Sequence, residues 1–307
     1  MPLFTPSTKS WVSTVQEVAG TVGASADSEM LGRAHQSLRG AFQHLNRRTN
    51  WDYLRTKQAP VQLIAPFTIS VTASGGSASL TAAASHGIKV DDLMSGSGVL
   101  LGSRTTATAA TTFTLDTLVT GFTGTAVYNV QATRDFYDLA SDYRVAYSVR
   151  MLAANRPLHP LGRRLYDRVA SDQFTPGTPE RYDTFSQAGK GKIQLLPPPS
   201  QTDVLQIRYY RRMNLGSATG DSTALDILED YELYPVAWAK WHFLTDRQEG
   251  RGEQATTWMT LAKEGIATMI AEQTNQPDEQ ISFVPGQFAY DLGGPNSTRR
   301  DWTGEPW

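Results

Sequence analysis

The 307-residue chain carries 28 Lys+Arg against 30 Asp+Glu, a formal net charge of −2, and no cysteine. Its length allows one large domain or two modest ones, each able to bury a core. The missing thiols exclude disulfides, thiolate metal sites and cysteine nucleophiles, and the lack of a basic excess argues against a strong grip on duplex DNA.

No apolar run reaches the roughly eighteen residues a membrane helix needs. The opening segment Met1-Pro2-Leu3-Phe4-Thr5-Pro6-Ser7 lacks the charged and apolar regions of a signal peptide. A short helix is expected from Ser10 to about Val18, with Trp11, Val15 and Val18 on one face and Gly20 and Gly23 breaking it. Asp27, Ser28 and Glu29 then provide capping and dipole-matched side chains for a second helix. Its apolar residues Leu31, Ala34, Leu38, Ala41, Phe42 and Leu45 recur at helical steps, opposite Arg33, Gln36, Arg39, Gln43 and Arg47.

Residues 68–133 change in character. They are rich in Ser, Thr, Ala and Gly, and alternation recurs in Ile69/Val71/Ala73, Ala78/Leu80/Ala82, Val99/Leu101, Phe113/Leu115 and Ala126/Tyr128/Val130. Glycines stand between these runs, the pattern of a small antiparallel sandwich or barrel with tight turns. A linker would have no reason to hold Phe113, Leu115, Tyr128 and Val130 in register. Residues 134–215 read as mixed structure, with a short helix at 162–170. Lys192–Leu196 reads as a strand stopped by Pro197-Pro198-Pro199, and Val204–Arg211 as a second strand.

Two helices follow. One covers roughly Asp226 to Thr245, with an aromatic stripe of Tyr231, Tyr234, Trp238 and Trp241; the other covers roughly Gly252 to Gln273, with Trp258, Ala262, Ile266 and Met269 on one face. The short joint between them calls for an antiparallel hairpin. Beyond Gln276 periodicity ends in a Gly- and Pro-rich tail. The expected fold is therefore α+β: a helical bundle of N- and C-terminal helices with an inserted antiparallel β-sandwich or barrel module. Its parts would be 1–60, N-terminal helices; 61–133, the β-module; 134–215, a mixed α/β segment with a β-hairpin; 216–275, the helical hairpin; and 276–307, an extended docking tail.

Chemistry-bearing patterns are sparse. His35, His44, His86, His159 and His242 lie on separate elements without metal-ligand spacing, and no Walker loop, dinucleotide fingerprint or nucleophile elbow occurs. No metal, cofactor or catalytic residue is expected. Asp91-Asp92 and Glu229-Asp230 are explained by a turn and a helix start. Arg163, Arg164 and Arg168, with Arg211 and Arg212, form local basic spots suited to bidentate pairing with a neighbour's carboxylates or to lining a channel. The tail concentrates Phe283, Phe288, Tyr290, Arg299, Arg300, Trp302 and Trp307, residue types that dominate interface hot spots.

An ordered series of segments resembles the head-to-tail adaptor (connector) proteins of tailed bacteriophages. It runs through Asn50-Trp51-Asp52-Tyr53-Leu54-Arg55, Phe113-Thr114-Leu115-Asp116 and Thr120-Gly121-Phe122-Thr123-Gly124-Thr125-Ala126-Val127-Tyr128. It continues through Phe136-Tyr137-Asp138-Leu139, Ser141-Asp142-Tyr143-Arg144, Gly177-Thr178-Pro179 with Tyr182, Ile193–Pro199 and Leu205–Tyr210, and covers about residues 30–245. The resemblance implies a non-enzymatic virion subunit, made in the host cytoplasm and placed at the head-tail interface. It implies a ring of about twelve copies that binds the portal protein, extends the DNA channel without specific DNA binding, and gives tail, nozzle or tail-completion proteins a platform. The competing readings are a tail-fibre or host-surface adhesin and a tail-associated cell-wall hydrolase.

Overall fold

The computed structural model describes residues 5–82, 84–120, 125–161, 174–187, 189–245 and 252–275. They divide into two compact units, Met1–Thr49 with Leu215–Trp307, and Asn50–Asn214.

The first unit is helical. Helix α1 (Trp11–Gly20) starts at Ser10, whose Oγ accepts from the Ser13 N–H, and α2 (Ser28–Arg48) starts at Asp27, whose carboxylate accepts from Glu29 and Met30. These caps satisfy donors that a helix start leaves orphaned. The buried stripe of α2 is Met30, Ala34, His35, Leu38, Ala41, Phe42 and Leu45. Helix α3 (Leu233–Thr245) packs against α1, α2 and α4 (Gly252–Asn275). That central position explains its composition. Its closely packed residues are small or aliphatic, Val236, Ala237 and Ala239, with Phe243 and Leu244, whereas the stripe residues Tyr234, Trp238 and Trp241 are only half-buried.

The second unit is built from two curled β-sheets. The smaller contains β3 (Phe67–Ser74), β4 (Ser79–Ala82), β5 (Leu93–Gly96), β6 (Thr105–Thr108), β7 (Thr112–Leu115) and β8 (Thr125–Thr133). Their order is β5-β8-β3-β4-β7-β6. Its ends approach each other, since Leu93 bridges Arg104 and the Met94 N–H donates to the Ser103 carbonyl at 2.8 Å. Curling in this way limits edge exposure. Period-2 alternation sends Val71, Ala73, Leu80, Phe113, Leu115 and Val130 into one core.

The larger sheet has β1 (Arg55–Lys57), β2 (Val61–Leu63), β9 (Phe136–Asp138), β10 (Tyr143–Met151), β11 (Arg156–Pro160), β12 (Arg181–Gln187), β13 (Lys190–Leu196) and β14 (Asp203–Arg211). The order is β1-β14-β10-β11-β12-β13-β9, with β2 also on β14. All these pairings are antiparallel except β11 with β12. Its core includes Leu63, Tyr137, Val149, Ile193, Leu195, Leu205 and Ile207.

This corrects the expected fold class. The described residues are mostly β, in two curled sheets, with only four α-helices among them; they do not form a helical bundle with one inserted β-module. Within 134–215 the strands expected at Lys192–Leu196 and Val204–Arg211 are β13 and β14, and the misread part is the remainder, which supplies β9 to β12. Its strands carry polar residues at many alternate positions, as in Arg181-Tyr182-Asp183-Thr184-Phe185-Ser186-Gln187, so their hydrophobic period is faint. The helix expected at 162–170 and the tail beyond 276 lie outside the described residues.

Candidate interaction surfaces

Within the second unit, ion pairs clamp the small sheet onto the two-residue connection by which the chain leaves β8 for β9. Arg134 donates from Nε and Nη2 to Asp92 Oδ1 and Oδ2, both at 2.8 Å, and from Nη2 to the Gly87 carbonyl at 3.1 Å. Asp92 also accepts from the Lys89 N–H at 2.8 Å. Both side chains are almost fully buried, at 7% and 3% exposure. The hydrogen bonds to Asp92, followed by its charge, hold the Arg134 guanidinium above its usual pKa despite burial.

Next along the chain, Asp135 is gripped bidentately by Arg104, with Nη1 and Nη2 at 2.8 and 2.7 Å. It accepts a third bond from Gln194 Nε2 of the larger sheet at 2.9 Å. The Arg104 guanidinium also covers the Phe136 ring, 4.1 Å from its centroid. Gln187 Nε2 on β12 adds a bond to Asp91 at 3.0 Å. Paired, fork-shaped contacts of this kind fix orientation as well as proximity, and the bonds from Gln194 and Gln187 tie the clamped connection and the small sheet to the larger one.

Beside β9 and β10, and bounded by the β12–β13 hairpin, lies a cavity of about 560 Å³. Arg144, Lys190 and Arg212 line it, along with the hydroxyl residues Ser141, Thr184 and Ser186 and the apolar Leu139 and Phe185. Its one lining carboxylate, Asp138, is paired with Lys192 at 2.9 Å. The hydrogen bond from that lysine holds Asp138 below the usual carboxylate range. Partial burial, followed by the neighbouring charge of Arg212, pushes Arg144 below the usual guanidinium pKa. The cavity is thus cationic.

On the strand β1 side of the same sheet, Arg55 pairs with Asp52 at 2.9 Å and donates from Nε to the Tyr210 hydroxyl at 3.1 Å. It lies 5.4 Å from the Tyr147 ring centroid. At one end of the small sheet, Leu100, Leu101 and Leu118 stand 57–68% exposed on two loops tied together by the Thr120 N–H to Gly98 carbonyl bond at 2.9 Å.

Of the sequence-derived candidates, Arg211 and Arg212 fall at the end of β14 and part ways. Arg211 pairs in register with Tyr143, and Arg212 lines the cavity. Arg163, Arg164 and Arg168, and the tail residues Phe283, Phe288, Tyr290, Arg299, Arg300, Trp302 and Trp307, lie outside the described residues. Arg144 and Lys190 were not singled out from sequence. No local pattern joins them to Arg212; the β10–β14 and β12–β13 pairings do. Among the described residues no group of three or more His, Asp or Glu could hold a metal ion, and no helix is long and apolar enough to cross a membrane.

Comparison with known proteins adds one positive finding. A family described as SU10 adaptor protein, a phage head-tail adaptor family, matches residues 101–285. The matched stretch runs from the small sheet through the larger sheet and both C-terminal helices. No curated protein matches the chain.

Proposed function

The chain belongs to the SU10 adaptor protein family and is a structural adaptor of the phage particle, and from this we propose that it forms the ring joining head to tail. The observation that carries the reading is the family match across residues 101–285. In this reading about twelve copies close a cyclic ring on the portal protein, the ring prolongs the DNA channel, and its far face receives tail, nozzle or tail-completion proteins. Assembly takes place in the host cytoplasm, and the finished ring sits at the head-tail interface.

The work of such a subunit is mechanical. Many weak contacts repeated around a ring add up to attachment that does not reverse, because each further contact is intramolecular once the first has formed. A net charge of −2 suits a channel that DNA slides through without being held. The doubly clamped junction of Arg134–Asp92 and Arg104–Asp135 supports the same reading, since a platform has to hold its parts in fixed register under load. We assign contacts with neighbouring subunits or the channel to Arg211 and Arg212 and to Arg163, Arg164 and Arg168. Portal or neighbour docking is assigned to the aromatic and arginine residues of the 276–307 tail.

The test is binding of the purified chain to isolated cognate portal rings, followed by electron microscopy. Rings of the chain stacked on one face of the portal are expected. A chain that ignores the portal but binds host cells as a trimer would replace this reading with that of an adhesin.

A further inference from the structure

Three cations and one neutralised carboxylate line the cavity beside β9 and β10, and the chain also carries a surface of opposite sign. In the helical unit, Glu229–Tyr231 forms a single 3-10 turn ahead of α3, with Glu229 and Asp230 exposed. The turn is held in place. The Glu229 N–H donates to the Thr5 carbonyl at 3.0 Å, and the Ser7 N–H donates to the Ile227 carbonyl at 2.8 Å. Tyr231 is tied through its hydroxyl to Glu272 of α4, which adds a further carboxylate beside the turn. The acids are therefore presented on a fixed backbone, where little conformational freedom remains to be lost on docking.

We infer that the Arg144–Lys190–Arg212 cavity receives the acidic turn at Glu229 and Asp230 of a second copy of this chain. The inference rests on the ring reading and deepens it by naming one contact from which the ring is built. A cyclic ring of identical subunits uses heterologous contacts, so every copy must carry both halves of one complementary pair of surfaces. This chain carries both. A guanidinium pair flanked by an ammonium matches two adjacent carboxylates, and guanidinium forks donate to carboxylates bidentately. The apolar Leu139 and Phe185 in the lining offer cover to the non-charged part of the turn. A duplex phosphate backbone is the poorer occupant. It is a continuous line of charge that calls for an open basic stripe, whereas this cavity is local and the chain as a whole is slightly acidic.

The absence of cysteine makes the test clean. The substitutions Asp230→Cys and Ser186→Cys are introduced together into the full chain, which is assembled on portal rings and treated with a short thiol-reactive cross-linker. Denaturing electrophoresis should then show a ladder of covalent multimers, while either substitution alone should give none. Arg144→Glu with Arg212→Glu in one chain, and Glu229→Lys with Asp230→Lys in another, should each weaken subunit association by about tenfold or more. An equal mixture of these two chains should recover it, because each reversed surface then meets its reversed partner. Circular dichroism and thermal melting establish that both variants fold.

Rings that form on the portal without a ladder, or that tolerate either charge reversal, overturn this contact and leave the adaptor reading standing. A ladder and charge rescue from chains that never bind the portal would instead keep the contact and overturn the adaptor reading. Cross-linking to phosphate-rich DNA in place of the second copy would also overturn the proposal.

Discussion

Replacing Arg134 by Met tests whether the junction between the two sheets is held by a buried ion pair. The substitution keeps the volume and apolar stem of the side chain but removes two 2.8 Å bonds to Asp92 and one 3.1 Å bond to the Gly87 carbonyl. Asp92, at 3% side-chain exposure, is then left with the Lys89 N–H at 2.8 Å as its hydrogen-bond donor. Water cannot reach the carboxylate to compensate, so the penalty for an uncompensated buried charge applies with little screening, about 3–5 kcal/mol. For a unit of this size that corresponds to a fall in melting temperature of roughly 6–20 °C, readable by scanning calorimetry. Adding Asp92→Leu should return most of the loss, since a buried pair replaced by apolar groups is often close to neutral. The exposed pair Arg156–Glu180, at 44% and 55%, provides the control, and Arg156→Met there should cost under about 1 kcal/mol. An Arg134→Met chain destabilised by no more than that control would refute the reasoning.

Gly265→Ala should destabilise the helical unit even though alanine is favoured over glycine in a helix by about 1 kcal/mol. A Cβ there would fall 1.9 Å from Tyr234 Cδ1, so the ring of α3 occupies the space a side chain on α4 needs; a raised melting temperature would contradict this packing. Burial pushes the Glu17 carboxyl up, but hydrogen bonds from Lys240 and Lys9, reinforced by their charges, more than offset it and leave its pKa below the usual value. A depressed folded pKa contributes stability above the unfolded carboxylate range and loses it as pH falls through the folded value. Glu17→Gln should therefore shrink the melting-temperature difference between neutral and acid pH, and an unchanged difference would rule out that contribution. Deleting residues 296–307 should leave a folded subunit with weakened ring or portal attachment, measured by pull-down on portal rings; undiminished virion assembly would remove the tail's proposed docking role.

The long helix α2 was legible in the sequence because its information is local. A capping aspartate, an acid in the first turn, arginines in the last and a 3.6-residue apolar stripe all fall within Asp27–Arg48. Four strands of the small sheet, β3, β4, β7 and β8, were legible for the same reason, as period-2 alternation between glycine turns brought out Leu80, Phe113 and Leu115, whereas β5 and β6 were not, and Val99/Leu101 falls in the loop between them. The larger sheet was legible only in β13 and β14, whose apolar runs at Lys192–Leu196 and Val204–Arg211 read as strands. A strand such as Arg181–Gln187 has a burial pattern set by neighbours on both sides, and its polar residues hide the period.

The same divide runs through the interaction surfaces. Sequence alone marked Arg211 and Arg212 as a basic spot, and it marked Glu229-Asp230 as acids at a helix start. Only the strand pairings, β14 on β10 and β13 on β12, bring Arg212 into one cavity with Arg144 and Lys190. Likewise only the fold joins Asp92 to Arg134 across 42 residues of chain. Side-chain periodicity records which face of an element is buried, and capping residues record where it begins. Neither records the identity of the partner, because a ladder of backbone hydrogen bonds looks the same from every strand. That choice is made by the packing of the whole unit.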